Sequence, residues 1–63
     1  MKLVELTKKD VGRMVIYRVG SPVEERGIIT SWNKKYVFVR YGNNAGSQAT
    51  EARDLKFEIV KEA

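Results

Sequence analysis

The chain contains no cysteine and no histidine among its 63 residues. Without cysteine it has neither disulfide bonds nor thiolate metal ligands, and without histidine it lacks the commonest zinc ligand. The same absences exclude Cys–His and Ser–His–Asp nucleophile systems and histidine general bases. Acid–base chemistry would depend on 8 carboxylates, in a domain with little room for a cleft that excludes water. We therefore expect a protein that is not an enzyme and holds no metal and no cofactor.

Long apolar runs are also missing. Stretches such as 14–17 and 36–39 are far shorter than the roughly 20 residues that cross a bilayer, so no membrane partner is expected. Glu5 interrupts the opening segment before it reaches the length of a signal sequence, which predicts a cytoplasmic location. At this size residues 1–63 form one domain with a small core, which oligomerisation could stabilise further.

What the chain does contain is a series of short runs rich in valine, isoleucine, threonine and aromatic residues, separated by polar turns. This pattern predicts an all-β protein. Residues 3–6 could form a short strand or an ordered arm. A capping-box spacing at Thr7 then predicts one helical turn over 7–11. Near the C-terminal end, the sequence of residues 51–55 predicts a 3₁₀ turn that places Leu55 in the core. The predicted strands are 13–18, 24–32, 35–41, 47–50 and 56–60, followed by a frayed end over 61–63. Five strands with a 3₁₀ turn before the last predict an SH3-like small β-barrel.

The central feature is a β-hairpin over 26–43. Gly27 predicts a bulge or sharp bend in its first strand. A two-residue turn would place Ile28 opposite Val39, whereas a three-residue turn would place Ile29 opposite Val39 and Trp32 opposite Tyr36. The sequence leaves both registers open, and in each of them Val37 and Val39 share one face, which we assign to the interior.

Two motifs resemble a known group of domains. The run 37–43, VFVRYGN, followed by Asp54-Leu55, resembles the Tudor branch of SH3-like barrels, and Val11-Gly12 with Gly27-Ile28-Ile29 resembles the opening of Tudor and KOW-type domains. The chain is also similar to small prophage-encoded proteins of uncharacterised function. The resemblance implies a binding module for methylated peptides, nucleic acid or proteins. Arg40, where Tudor domains usually have an acidic residue, argues against methylarginine as the ligand.

Aromatic and basic residues of the hairpin form the candidate binding site. The aromatic candidates are Tyr17, Trp32, Tyr36, Phe38 and Tyr41, for which core packing is the ordinary explanation. The basic residues are part of a net charge of +4, from 12 basic and 8 acidic residues. Cations beside rings suit phosphate contacts combined with base stacking. We predict a ligand-binding surface for nucleic acid made of Trp32, Lys34, Lys35, Tyr36, Arg40 and Tyr41. The alternative is a protein partner or homo-oligomer that uses the same aromatic patch.

Overall fold

A computed structural model describes residues 1–42 and 45–58 of the chain. It contains five β-strands: β1 (Met14–Tyr17), β2 (Glu25–Trp32), β3 (Val37–Tyr41), β4 (Gln48–Thr50) and β5 (Leu55–Phe57). Three single-turn 3₁₀ helices accompany them: η1 (Leu3–Glu5), η2 (Lys8–Asp10) and η3 (Ala52–Asp54). The prediction of an all-β protein with five strands and a 3₁₀ turn before the last is confirmed. In this part of the chain no helix is long and apolar enough to cross a membrane.

All the strands belong to one antiparallel sheet with the order β4-β3-β2-β1-β5. Strands β1 to β4 follow one another as a meander, and η3 carries the chain back so that β5 pairs with β1. Within residues 1–42 and 45–58 no ladder joins β4 to β5, so the sheet is not closed into the predicted barrel. Both edge strands are only 3 residues long, which limits the ladder that either could form.

Several boundaries differ from the predicted ones by a few residues. Strand β3 begins at Val37 rather than at residue 35, because the Asn33 side-chain oxygen accepts the backbone N–H groups of Lys35 and Tyr36 at 2.8 Å each and holds them in the turn. The segment before Leu6 forms η1 rather than a strand, and is therefore an ordered arm. The predicted continuation of β5 beyond residue 58 and the frayed end lie outside the described residues.

The hairpin register combines elements of both predictions. Ile29 lies opposite Val39, as expected for the longer turn, but the pairing then shifts at Thr30, and Trp32 lies opposite Val37 rather than Tyr36. Thr30 is thus the extra residue of a β-bulge. Its hydroxyl donates to the Phe38 carbonyl at 3.1 Å, which binds the bulge to the neighbouring strand.

We predicted a bulge or a sharp bend at Gly27, and the bulge is wrong. Gly27 pairs regularly with residues of β1 and β3, and its special role is close packing. A Cβ atom at this position would lie 2.5 Å from Val39 Cγ1, 2.8 Å from the Arg40 carbonyl oxygen and 2.9 Å from Tyr41 Cδ1. The missing side chain therefore lets β2 and β3 approach each other closely at this position.

The core lies on one face of the sheet. Among the described residues, five side chains are fully buried, and these are Val15, Ile29, Val37, Val39 and Leu55. The prediction that Val37, Val39 and Leu55 face inward is confirmed. Leu3 and Leu6 of the N-terminal segment pack against the core, and the Met1 ammonium donates to the carbonyls of Ala52 and Leu55 at 3.1 and 2.9 Å. The N-terminal segment therefore covers part of the concave face that the sheet alone would leave open.

A carboxylate at the end of η2 connects the N-terminal segment to β1. The Thr7 backbone N–H donates to Asp10 Oδ2 at 2.9 Å, and Arg13 Nη1 donates to Asp10 Oδ1 at 3.0 Å. These contacts, the Thr7 bond first, lower the pKa of Asp10 below its ordinary value of 3.8. Because the pKa is lower in the folded state, the stabilisation is present above the unfolded-state value and is lost as the pH falls through the folded-state value.

We expect Asp10→Asn to lower the melting temperature at neutral pH, with a difference from the parent chain that shrinks as the pH falls below 3.8. Thermal unfolding across an acid pH series measures this. Glu5→Gln is the matched control, because it removes the same charge from an exposed side chain in η1. An Asp10→Asn difference that stays constant at every pH would contradict the assignment.

Candidate functional site

The sheet has an outer face, opposite the core, on which apolar and basic side chains alternate. Strand pairing places Ile28 of β2 between Met14 of β1 and Arg40 of β3. One residue pair further along β1, Ile16 lies between Lys56 and Arg26. Because alternate residues of a strand point to opposite faces, the neighbours of buried Val15, Ile29, Val39 and Leu55 must point outward. We call the outward set, Met14, Ile16, Arg26, Ile28, Phe38, Arg40 and Lys56, the outer face.

The cations of the outer face differ in how they are paired. Arg26 is neutralised, since its Nε lies 3.0 Å from Glu58 Oε1 and its Nη1 lies 3.7 Å from Glu24 Oε1. Arg40 and Lys56 are exposed, and no ion pair involves them among the residues that the structure describes. Lys34 and Lys35 are exposed at the hairpin tip, beyond the ends of β2 and β3. Three of these cations, Lys34, Lys35 and Arg40, lie on or just before the strand that carries the half-buried ring of Phe38, whereas Lys56 lies on the edge strand β5, three strands away.

The structure does not bring the six predicted site residues together on one surface. Arg40 is on the outer face, with Lys34 and Lys35 at the adjacent tip, as the alternation predicted. Trp32 pairs with Val37 and packs against the core, because the bulge at Thr30 turns it to the inner side. Tyr41 is also on the inner side, and only 7% of it is exposed. Trp32 and Tyr41 are therefore corrected from surface positions to the core side of the sheet.

Tyr36 and Tyr41 instead line a groove at the end of the sheet where β1 ends and β2 begins. The groove has a volume of about 430 Å³, and its third tyrosine is Tyr17. The rings of Tyr17 and Tyr41 meet edge to face, with centroids 6.1 Å apart and planes at 69°. Tyr36 is 38% exposed. We call this the tyrosine groove; its other lining residues are Arg18, Glu25, Gln48, Ala49, Thr50, Glu51, Arg53 and Asp54.

The charged residues of the tyrosine groove are unevenly paired. Arg53 Nε lies 2.6 Å from Glu51 Oε2, so these two neutralise each other at the exposed margin. No ion pair is formed by the side chains of Glu25 or Asp54 within residues 1–42 and 45–58. The remaining cation is Arg18, whose guanidinium carbon lies 5.1 Å from the centre of the Tyr17 ring. Two carboxylates and one arginine thus share the tyrosine-lined space.

The Tyr41 hydroxyl is held in the wall of the groove by a buried hydrogen bond of 2.9 Å with Thr50 Oγ1. Burial raises the pKa of Tyr41 above its ordinary value of 10.0; the Thr50 hydrogen bond opposes this rise and the Glu25 carboxylate adds to it. Tyr41 therefore remains neutral at physiological pH. Its ring contributes a polarisable wall to the groove without adding a charge.

Sequence reasoning identified Tyr17 as an aromatic candidate but did not assign it to a shared site with Glu25 and Asp54. The pairing of Tyr17 with both Glu25 and Leu55 brings these segments together. Lys56 and Ile16 were likewise missed as surface residues. Alternate residues of β1 and β5 point to opposite faces of the sheet, and this alternation identifies Ile16 and Lys56 as surface residues once the order of the strands is known.

Comparisons with known protein families, curated proteins and solved structures found no match to this chain.

Proposed function

We propose that this chain is a small, non-enzymatic, cytoplasmic module of the SH3-like, Tudor-type class that binds nucleic acid through the outer face and the adjacent hairpin tip. The proposed class is supported by the strand order β4-β3-β2-β1-β5 and by the single 3₁₀ turn before β5. The similarity of the motifs to Tudor and KOW domains, and to prophage-encoded proteins, points in the same direction.

The observation that carries the proposed activity is the position of Arg40. Its exposed guanidinium is on the same face as Phe38, two residues earlier in β3, and on the strand that begins just after Lys34 and Lys35. Cations supply most of the affinity of such sites through phosphate contacts, and a ring can stack on an unpaired base. The geometry therefore suits a weak, salt-sensitive interaction with single-stranded or duplex nucleic acid.

The test is fluorescence anisotropy with a labelled oligothymidylate of about 12 nucleotides and a duplex of similar length, in about 50 mM and about 200 mM salt. We expect binding that weakens with salt. The double variant Lys34→Glu/Arg40→Glu should bind more weakly and lower the salt slope by about 1 for each cation removed. Lys8→Glu is the control, because it reverses an exposed charge on η2, outside the outer face.

Absence of binding at low salt would overturn the proposal. An equal loss in Lys8→Glu and in single Arg40→Glu would show that net charge, rather than the outer face, attracts the oligonucleotide.

A second candidate is a protein partner or self-association. It is favoured by the exposed large hydrophobic side chains of residues 1–42 and 45–58, which are Val4, Val11, Met14, Val19, Val23 and Tyr36. Sedimentation velocity over a range of micromolar concentrations separates the candidates, since a monomer that shifts only with oligonucleotide disfavours self-association.

A further inference from the structure

Four residues on neighbouring strand positions form one row across the outer side of the sheet. Strand pairing places Met14 beside Ile28, and Ile28 beside Arg40. On the other side of Met14 lies Glu58, whose backbone N–H donates to the Met14 carbonyl at 3.0 Å. Glu58 also faces outward, since its Oε1 lies 3.0 Å from Nε of Arg26 on the outer face. We call the series Glu58, Met14, Ile28 and Arg40 the cross-strand row; it is acidic at one end, apolar in the middle and basic at the other end.

The cross-strand row is complementary to a second copy of itself. Its charged ends are three strand spacings apart, about 14 Å, so Glu58 and Arg40 are well separated within one molecule. A two-fold rotation about an axis that runs parallel to the strands, between β1 and β2, reverses the order of the row. This rotation places Glu58 of each copy opposite Arg40 of the other, and Met14 opposite Ile28.

The charges also select this orientation of the two copies. An axis that runs along the row would instead place Arg40 opposite Arg40 and Glu58 opposite Glu58, so like charges would meet at both ends. With the axis parallel to the strands, Lys56 of the next row faces no cation, because the corresponding position at the end of β3 is Gly42. The strands of the two copies are then aligned, as in most sheets that pack face to face.

The middle of the cross-strand row presents apolar surface to solvent. Met14 is 42% exposed although it lies in an inner strand of the sheet, and Ile28 beside it is half-buried. At the ends, Arg40 forms no ion pair within residues 1–42 and 45–58, and Glu58 uses one oxygen for Arg26. A carboxylate has about four acceptor sites, so Glu58 can accept a second guanidinium. A second copy therefore covers the apolar middle and pairs the charges at both ends.

We propose that this chain forms a symmetric homodimer in which the outer faces of two copies pack against each other through the cross-strand row. Each dimer contains two Glu58–Arg40 ion pairs and two Met14–Ile28 contacts. The additional burial stabilises a domain with a small core. The dimer covers the face proposed above for nucleic acid, so the two partners exclude each other. Neither proposal depends on the other, because the dimer is tested without nucleic acid.

Charge reversal tests the row, because each variant alone repels its own copy. In Glu58→Lys both ends of the row are basic, and in Arg40→Glu both ends are acidic. Sedimentation equilibrium at low salt, from about 10 μM to about 1 mM, suits the weak association expected of a small interface. Each variant alone should raise the dimer dissociation constant at least about tenfold, since like charges meet twice in each dimer. An equimolar mixture of the two variants should recover dimers, because their ends are then complementary.

The matched control is a second pair of reversals, Lys8→Glu and Glu5→Lys, at exposed positions of η2 and η1 outside the outer face. These variants should dimerise like the parent chain, both alone and mixed. Three results would overturn the dimer: a parent chain that stays monomeric over the whole range, single row variants that dimerise like the parent, or a mixture of row variants that stays monomeric.

A further variant tests the middle of the row and serves in case Glu58→Lys does not fold. Met14→Gln makes an exposed position polar and should weaken dimerisation several-fold. Val11→Gln is its control, because Val11 is exposed to a similar extent and lies outside the outer face. Equal dimerisation of these two variants would overturn the proposal. Met14→Gln keeps every cation of the outer face, so its oligonucleotide binding tests the nucleic-acid proposal separately.

Discussion

Gly27→Ala is expected to lower the free energy of unfolding by about 3 kcal/mol, the upper end of what overpacking usually costs in a core. The added Cβ would lie 2.5 Å from Val39 Cγ1 and 2.8 Å from the Arg40 carbonyl oxygen. The Val39 side chain is fully buried and cannot move aside, and the Arg40 carbonyl oxygen belongs to the backbone of β3. Relief therefore requires β2 and β3 to separate, which would break their ladder and open the core.

Urea denaturation followed by circular dichroism measures this loss. Gly46→Ala is the matched control, because a Cβ at Gly46 meets nothing within 4 Å and its φ is not positive. That substitution should leave stability unchanged or raise it by about 0.5 kcal/mol, because alanine lowers the conformational entropy of the unfolded chain. Equal midpoints for the two variants would show that the close approach at Gly27 can relax without cost.

The strands of the fold were predictable because their signals are local. Val37 and Val39 share one face of β3 by the period of two, and placing these two aliphatic side chains inside assigned that face to the core. Leu55 was predictable for a related reason, since it is an isolated apolar residue after the polar run of η3. In both places the local pattern and the packing agree.

The bulge at Thr30 shows where local patterns fail. Either regular register was compatible with the sequence, and a single extra residue turned Trp32 to the inner side. No local pattern marks the shift, and the Thr30 hydroxyl donates a hydrogen bond to the Phe38 carbonyl in the shifted register. Because of this one shift, Trp32 is not part of the exposed surface that we predicted.

The tyrosine groove was harder still to predict, because its parts are distant in sequence. Tyr17, Tyr41 and Asp54 meet only because β5 returns to pair with β1 while Tyr41, the last residue of β3, pairs with Gly27 of β2. No single segment of the chain carries the pattern of tyrosines and carboxylates. The site becomes visible from the register, in which Tyr17 is opposite both Glu25 and Leu55.

The two surfaces of the sheet have different chemistry, which has a consequence for binding. Within residues 1–42 and 45–58, the outer face carries the cations Arg40 and Lys56 without an ion pair, and the tyrosine groove carries the carboxylates Glu25 and Asp54 without one. A polyanion should therefore contact the outer face and not the tyrosine groove.

Leu55→Ala is expected to cost about 4 kcal/mol, within the range for a fully buried leucine in a core. A 63-residue domain has only about 3 to 9 kcal/mol of stability in total, so this substitution should remove roughly half of the stability or more. Leu55 is the first residue of β5 and follows η3 directly, and its pairing with Tyr17 holds one wall of the tyrosine groove. The core and the groove should therefore be lost together.

Thermal unfolding and the dispersion of amide NMR signals measure the effect. The control is Val4→Ala, which shortens an apolar side chain that is 91% exposed and should change stability by no more than about 0.5 kcal/mol. A Leu55→Ala protein with the melting temperature of the control would contradict the role of Leu55 in the core. A cooperative loss of the Tyr17 and Tyr41 signals at the same temperature would instead tie the shape of the groove to the packing beneath it, because a single buried side chain supports both.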